Sequence, residues 1–336
     1  MNRRRLIISE TTTAYHLICR TAYQAYLFGD QEKEVFVRLL QQQARFAGIE
    51  VLAYCIMSNH VHLLARISPI DSLPDAELLR RYRDYYGDVK VPQSTYSVEE
   101  LQSLLRSGGP DAEAARQRVL SRMGDLSAFM RELKQRFTLW YNHKHDNQGT
   151  IWASRYKSLI VENAPESLSK VAAYIDLNPV RAEIVEDPKD YRWCGYAAAM
   201  AGRKAQKDAV IELLAGQDEF AQAIASYRLI LFGKGYTSKG SATKDQGTLS
   251  AEALEAVIQN EGHVASSELL RLRVRYFADG TAIGSKAFVE NIVHSHRAAF
   301  GLKRKKASTA LAPQIWDDLH VLRDLKKNVY TRPQIE

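Results

Sequence analysis

The apolar positions in the first fifth of the chain change period as they go. Residues 14–20, AYHLICR, are short and β-rich and predict a strand. Over residues 30–49 the apolar side chains fall at Val35, Phe36, Leu39, Leu40 and Ala44, the spacing of one helical face, with a glycine at the end. EVLAYCIM (50–57) predicts a second strand, SNH a turn, and HVHLLARI (60–67) a third strand. Strand, helix and hairpin together predict an α+β fold, an antiparallel sheet with helices packed on it.

The pattern then breaks. Residues 68–124 hold Pro69, Pro74, Pro92, SGGP and charged amphipathic stretches such as AELLRRYRDYY, and predict a mostly helical insertion. LSAFMRELKQRFTLWYNHKH (126–145) predicts an amphipathic helix with a basic exposed face, and IWASRYKSLIVE (151–162) alternates like a strand. SLSKVAAYIDLNPVRAEIV (167–185) predicts a helix interrupted at Asn178-Pro179. From about residue 203 the character shifts again. SAEALEAVIQNEGHVASSELLRLRVRYFADG predicts two helices around a glycine turn, SKAFVENIVHSHRAAFG another helix, and LKRKKAS a basic run. We therefore divide the chain into a domain over 1–202 and a mainly helical C-terminal region over 203–336. No internal repeat is visible.

Composition changes this picture little. The 336 residues are 46% hydrophobic and 25% charged, as in soluble globular proteins. The formal net charge of +7 permits a polyanionic partner, nucleic acid first, without requiring one. Cys19, Cys55 and Cys194 are far apart, in no Cys-x-x-Cys pair, which argues against a disulfide framework and for a reducing cytoplasm. The basic start lacks the unbroken apolar stretch and cleavage site of a signal peptide, and no segment approaches a membrane span in length. The expected location is cytoplasmic.

Candidate chemistry begins with histidine. His-x-His occurs at His60/His62, His143/His145 and His294/His296. On a strand, residues i and i+2 share a face, so two imidazoles can share a ligand. On a helix they point apart. The third pair lies in a predicted helix. The second sits at a helix end, where it suits the helix dipole. Only His60 and His62 lie on a strand, and two readings stay open for them: hydrogen-bonded structural histidines, or two ligands of a metal that needs a third.

On the helix from 167, Leu168, Val171, Ala172 and Ile175 form the apolar face. Tyr174 lies in line with Lys170 and Asn178, four residues to either side. This face groups a phenol, an ammonium and an amide. The plain alternative is that Asn178 caps the turn opened by Pro179 and Tyr174 edges the core.

EVLAYCIMSNHVHLLARI and the downstream IWASRYKSLIVE…YIDLNPVRAEIVEDPKDYRWCGY together resemble the single-tyrosine HUH transposases, insertion-sequence enzymes, and among them the REP-associated tyrosine transposase branch. The resemblance covers residues 12–67 and about 125–197. It implies an HUH-nuclease core of the ferredoxin or RRM-like kind. It implies that His60 and His62 hold a divalent metal, Mg²⁺ or Mn²⁺, that Tyr174 is the nucleophile, and that Asn178 completes the metal site. Asp176 points to another side of the helix and ranks lower. A metal on a phosphate oxygen would neutralise charge, and Lys170 could favour the phenolate. Attack by Tyr174 would leave a 5′-phosphotyrosine and a free 3′-OH, keeping the bond energy for rejoining. No phosphate-cradling glycine loop is present, so no ATP is expected.

The implied substrate is single-stranded DNA, with hairpins as a family-level expectation. Lys170, Arg155 and Arg136 would track its backbone, and Trp152 and Tyr156 would stack its bases; a solvated helix face and a half-buried strand explain the same residues. Competing functions are a replication initiator or relaxase, a catalytically silent hairpin-binding protein, and a metal-dependent hydrolase using water. The region after 203 could read DNA as a helix-turn-helix, with Lys303, Arg304, Lys305 and Lys306 as its basic run, or be a solvated appendage. A homodimer is compatible with the resemblance.

Overall fold

The computed structural model describes residues 6–87, 95–214, 216, 218–232, 270, 273–274, 276–297, 308–311, 319–322 and 330–331. The first strands form where the apolar pattern places them. β1 is Thr13–Arg20, α1 Asp30–Ala47, β2 Ile49–Ile56 and β3 His60–Ile67. α1 ends on Gly48, whose φ of +66° is the left-handed turn that releases the chain into β2. The insertion folds as α2 (Asp75–Tyr86), α3 (Val98–Ser107) and α4 (Gly109–Leu120). Ser97 and Glu100 form a reciprocal capping box at the start of α3. Then come α5 (Leu126–His145), β4 (Lys157–Val161), α6 (Pro165–Asp176) and α7 (Asn178–Arg181).

The remaining described elements are α8 (Gly195–Met200), α9 (Lys204–Glu212), α10 (Phe220–Phe232), β5 (Arg273–Val274), α11 (Tyr276–Asp279), β6 (Ala282–Ser285), α12 (Lys286–Ser295), β7 (Thr309–Ala310), β8 (Leu319–Leu322) and β9 (Tyr330–Thr331).

β1 lies at the centre of the first hairpin's sheet, antiparallel to β3 on one side and to β4 on the other. Seven strands run in the order β2-β3-β1-β4-β6-β8-β7, and β5 pairs with β9 apart from them. Both faces of the large sheet are covered, so the inner strands are apolar on both sides instead of alternating. One face carries α1, α5 and α12 over Tyr15, Leu17, Val61 and Leu63. The other carries α6, α8 and α10 over Ala14, Leu64, Leu159 and Val161. The edge strand β2 is capped by the segment before α8: Ile56 donates its N–H to the Trp193 carbonyl at 3.0 Å, and the backbones of Cys55 and Cys194, both free thiols, form an isolated antiparallel β-bridge. The insertion buries its own apolar cluster, including Leu78, Tyr82 and Leu101, against Phe46 of α1.

The fold is α+β, and three expectations need correction. Of residues 151–162 only Lys157–Val161 form a strand; Trp152 makes an isolated bridge to Thr21. The sheet is not wholly antiparallel, because β4 and β6 run parallel. The region after 203 is helical over α9, α10 and α12 but also supplies β6, β8 and β7 to the main sheet. The pair of helices expected around NEGHVAS, for the most part, and the basic run Lys303–Lys306 lie outside the described residues.

Candidate active site

Side-chain parity on two paired strands assembles the candidate site. His60, His62 and Leu64 alternate onto the face that α6 covers, while Val61 and Leu63 face the opposite core. The register sets Ile18 of β1 opposite His62, so His16 lies one step along on the same face. The His60 and His62 rings have centroids 5.0 Å apart. His62 stacks on His16 at 5.1 Å, with Nε2 of His16 2.8 Å from Nδ1 of His62. Nδ1 of His16 is 2.6 Å from the Phe277 carbonyl oxygen in α11. Nδ1 of His60 is 2.5 Å from Oδ1 of its neighbour Asn59.

Tyr174 closes on this group from α6. Its ring meets His62 edge-on at 6.1 Å and His16 at 6.0 Å, and stacks on Phe277 at 5.0 Å. The Arg181 guanidinium lies over its other neighbourhood, 4.2 Å from the ring centroid. Arg181 donates to the carbonyls of Tyr174 and Leu270. Tyr174 is 2% exposed and His62 4%. Burial pushes His16 down to about 4, with the Phe277 carbonyl working against that and the Arg181 charge adding to it. Burial, then the neighbouring His60 and His16, hold His62 well below the ordinary histidine value. Both rings are therefore neutral at physiological pH, the form in which imidazole ligates a metal.

Asn178 does not serve as the N-cap of α7; Leu177 holds that place. Its amide NH₂ instead closes the end of α6, donating to the carbonyls of Ile175 at 2.9 Å and Tyr174 at 3.3 Å. The amide oxygen is left as its acceptor. The imidazoles of His60 and His62 with an amide oxygen would be a donor set that suits Mn²⁺ or Mg²⁺. Among the described residues no group of three or more His, Cys, Asp or Glu side chains is arranged to hold a metal. Asp176 faces away, accepting from the Tyr227 hydroxyl at 2.7 Å and the Tyr196 N–H at 3.4 Å.

The residues expected to contact DNA separate into two groups. Arg155 is exposed and Lys170 half-buried. Trp152 and Tyr156 are buried, which removes their rings as open stacking platforms. Trp152 packs near Phe28 at 5.8 Å and donates to the Thr138 hydroxyl at 2.9 Å. Arg136 is turned inward, its guanidinium 4.4 Å from the Tyr85 ring centroid. Beside Arg155 runs a groove that Arg131, Lys134, Gln135, Thr138 and Thr150 also line. The other histidine pairs stay apart from the site: His145 approaches Glu32 at 3.0 Å at the end of α5, and His294 and His296 close α12.

Sequence reasoning passed over His16, Arg181 and Phe277. His16 stood in a predicted strand, but only the pairing register shows that it shares a face with His62. Arg181 follows Tyr174 by seven residues, a two-turn spacing that was open to inspection. Phe277 had no local signal, since it reaches the site from 261 residues beyond His16.

Comparison with known proteins bears on this geometry. Residues 9–76 match the family model described as transposase, IS200 like. No curated protein matches the chain. Among solved structures, it is similar to a REP-associated tyrosine transposase bound to a REP hairpin, with 16% identity, 60% of this chain and 86% of that one covered, and a TM-score of 0.37. A candidate transposase of Deinococcus radiodurans R1 shares 19% identity over 47% of this chain and 85% of its own, with a TM-score of 0.23. The matched segment spans β1, α1 and the hairpin that bears His60 and His62. The similarity to the IS200-like transposase model is confined to residues 9–76.

Proposed function

We propose that the protein is a transposase that nicks and rejoins single-stranded DNA, with Tyr174 as nucleophile and a divalent cation held by His60, His62 and Asn178. The observation that carries this reading is the meeting of Tyr174 with His62 at 6.1 Å, two residues more than 100 positions apart in the chain. When bound, the cation supplies charge neutralisation at the phosphate. His60 and His62 serve as its neutral nitrogen ligands. Arg181 and Phe277 fix the plane of the Tyr174 ring, and Tyr174 forms the phosphodiester with the 5′ end, leaving a 3′-OH. Arg155 and Lys170, with Arg131 and Lys134 along the groove, contact the backbone of an unpaired strand, and hairpins flank the cleaved site.

The deep burial of Tyr174 favours a second reading, a catalytically silent hairpin-binding protein. One experiment separates the two. The protein is mixed with labelled single-stranded DNA from the flanks of its own gene and Mn²⁺, and an SDS-resistant adduct is sought. The expected adduct maps to Tyr174 and is lost in Tyr174→Phe and His60→Ala. Its persistence in Tyr174→Phe would reassign the nucleophile. Cleavage without an adduct would indicate a water-using nuclease, and tight binding without reaction would establish the silent protein.

A further inference from the structure

Both ring nitrogens of His16 are engaged, and the chemistry of the partners dictates where the protons sit. Its Nδ1 lies 2.6 Å from the Phe277 carbonyl oxygen. A carbonyl oxygen only accepts, so Nδ1 of His16 donates. The ring has no exposure, and a buried imidazole stays neutral. A neutral ring that donates from Nδ1 carries its lone pair on Nε2. The 2.8 Å contact between that Nε2 and Nδ1 of His62 must then use a proton on His62. His62, buried and neutral in its turn, carries its own lone pair on Nε2. His60 is arranged alike: its Nδ1 donates to Oδ1 of Asn59, an amide oriented by its own bond to the Gln24 carbonyl at 3.4 Å.

We propose that His16 is a positioning residue for the histidine pair: held by the Phe277 carbonyl, it fixes the tautomer and plane of His62 so that Nε2 serves as the metal ligand. This rests on the reading of His60 and His62 as metal ligands. It assigns His16 a part in the site without contact to metal or DNA. It also gives α11, outside the matched family segment, a direct link to the site through backbone alone. Without an acceptor at Nδ1, the His62 proton distributes over both nitrogens and the ring loses its orientation. Loss of such an outer partner weakens metal affinity by about 10–100-fold.

The test uses the full chain without DNA. In the metal-free wild type, long-range ¹H–¹⁵N spectra of labelled histidine are expected to show His62 protonated on Nδ1 and bare on Nε2. Mn²⁺ is then titrated as the probe, with free ion read by electron paramagnetic resonance. His16→Phe is expected to bind about 10–100-fold more weakly. His16→Gln, whose amide can donate to the carbonyl and accept from His62, is expected to stay near wild type. A wild-type His62 protonated on Nε2 would overturn the proposal. So would His16→Phe with wild-type affinity while His62→Ala has lost binding. Unchanged binding in His62→Ala would instead overturn the metal reading beneath it. If His16→Phe does not fold, the wild-type tautomer and the His16→Gln affinity decide.

Discussion

At the scale of single residues, the buried groups around Tyr174 differ in what their protonation does. Asp176, the last residue of α6, is buried, and burial raises its carboxyl to about 7, against the lowering by the Tyr227 hydroxyl and the Tyr196 N–H. The folded pKa is above the unfolded one, so between about 4 and 7 the folded state holds a proton that the unfolded chain has released. Stability therefore falls as pH rises through that window, by up to about 4 kcal/mol. Asp176→Asn is expected to flatten this dependence, as denaturant melts at pH 5 and pH 8 would read. An undiminished slope in the variant would assign the dependence to another group. His60 and His62 were legible as candidates because strand parity is a local property of the chain, whereas Tyr174 was picked out by the family resemblance. His16 was not, because nothing local specifies which residue of β1 lies beside which residue of β3.

Elements fared unevenly for a physical reason. α1, α5 and the first hairpin have strong single periods, and the chain names them within a residue or two. The run 151–162 alternates, yet only its second half finds a partner in β1; its first half packs Ile151 and Trp152 into the α1–α5 layer. The insertion was legible as helical but not as docked. Its docking is polar as well as apolar: Arg122, just after α4, pairs with Glu132 of α5 at 2.8 Å, and Gln43 of α1 donates to the same carboxylate at 3.0 Å. Burial works to raise the Glu132 carboxyl, but Arg122 and Gln43 outweigh it and the net shift is downward. Its contribution is thus full above the ordinary carboxylate range and lost as pH falls below it. Glu132→Gln is expected to cost about 1–3 kcal/mol near pH 7 and less in acid. Equal losses at pH 3 and pH 7, measured by urea unfolding, would refute the pairing as the cause.

Across the whole molecule, the main sheet takes strands from both sides of the pattern change near residue 203. The pattern change after residue 202 is real, but β6 takes its place beside β4, with the Ile160 N–H bonded to the Thr281 carbonyl at 2.9 Å and that of Glu162 to Ile283 at 2.9 Å. Glu162 reinforces the seam by accepting from the Ser285 N–H at 2.6 Å and its hydroxyl at 2.7 Å. A short strand such as AIGS, with three small residues in four, has too little apolar pattern to be recognised without its neighbours. No helix among the described residues is long and apolar enough to cross a membrane. The surplus of positive charge remains compatible with a polyanionic partner.

The bond from His16 to the Phe277 carbonyl spans 261 positions along the chain, and that separation bears on the order of events in folding. Contacts so distant carry the largest closure entropy and form late. The β1–β3 floor is contained in residues 13–67 and can assemble early, whereas the roof over Tyr174 waits for α11 and β6. The pocket around Tyr174 is then a product of the last folding step, and a partly folded chain would have the histidine strand without the roof above it. Pulsed hydrogen exchange during refolding is expected to protect amides of β1 and β3 before those of β6. Simultaneous protection would mean that the sheet closes as one unit and that the tyrosine is never exposed on the way.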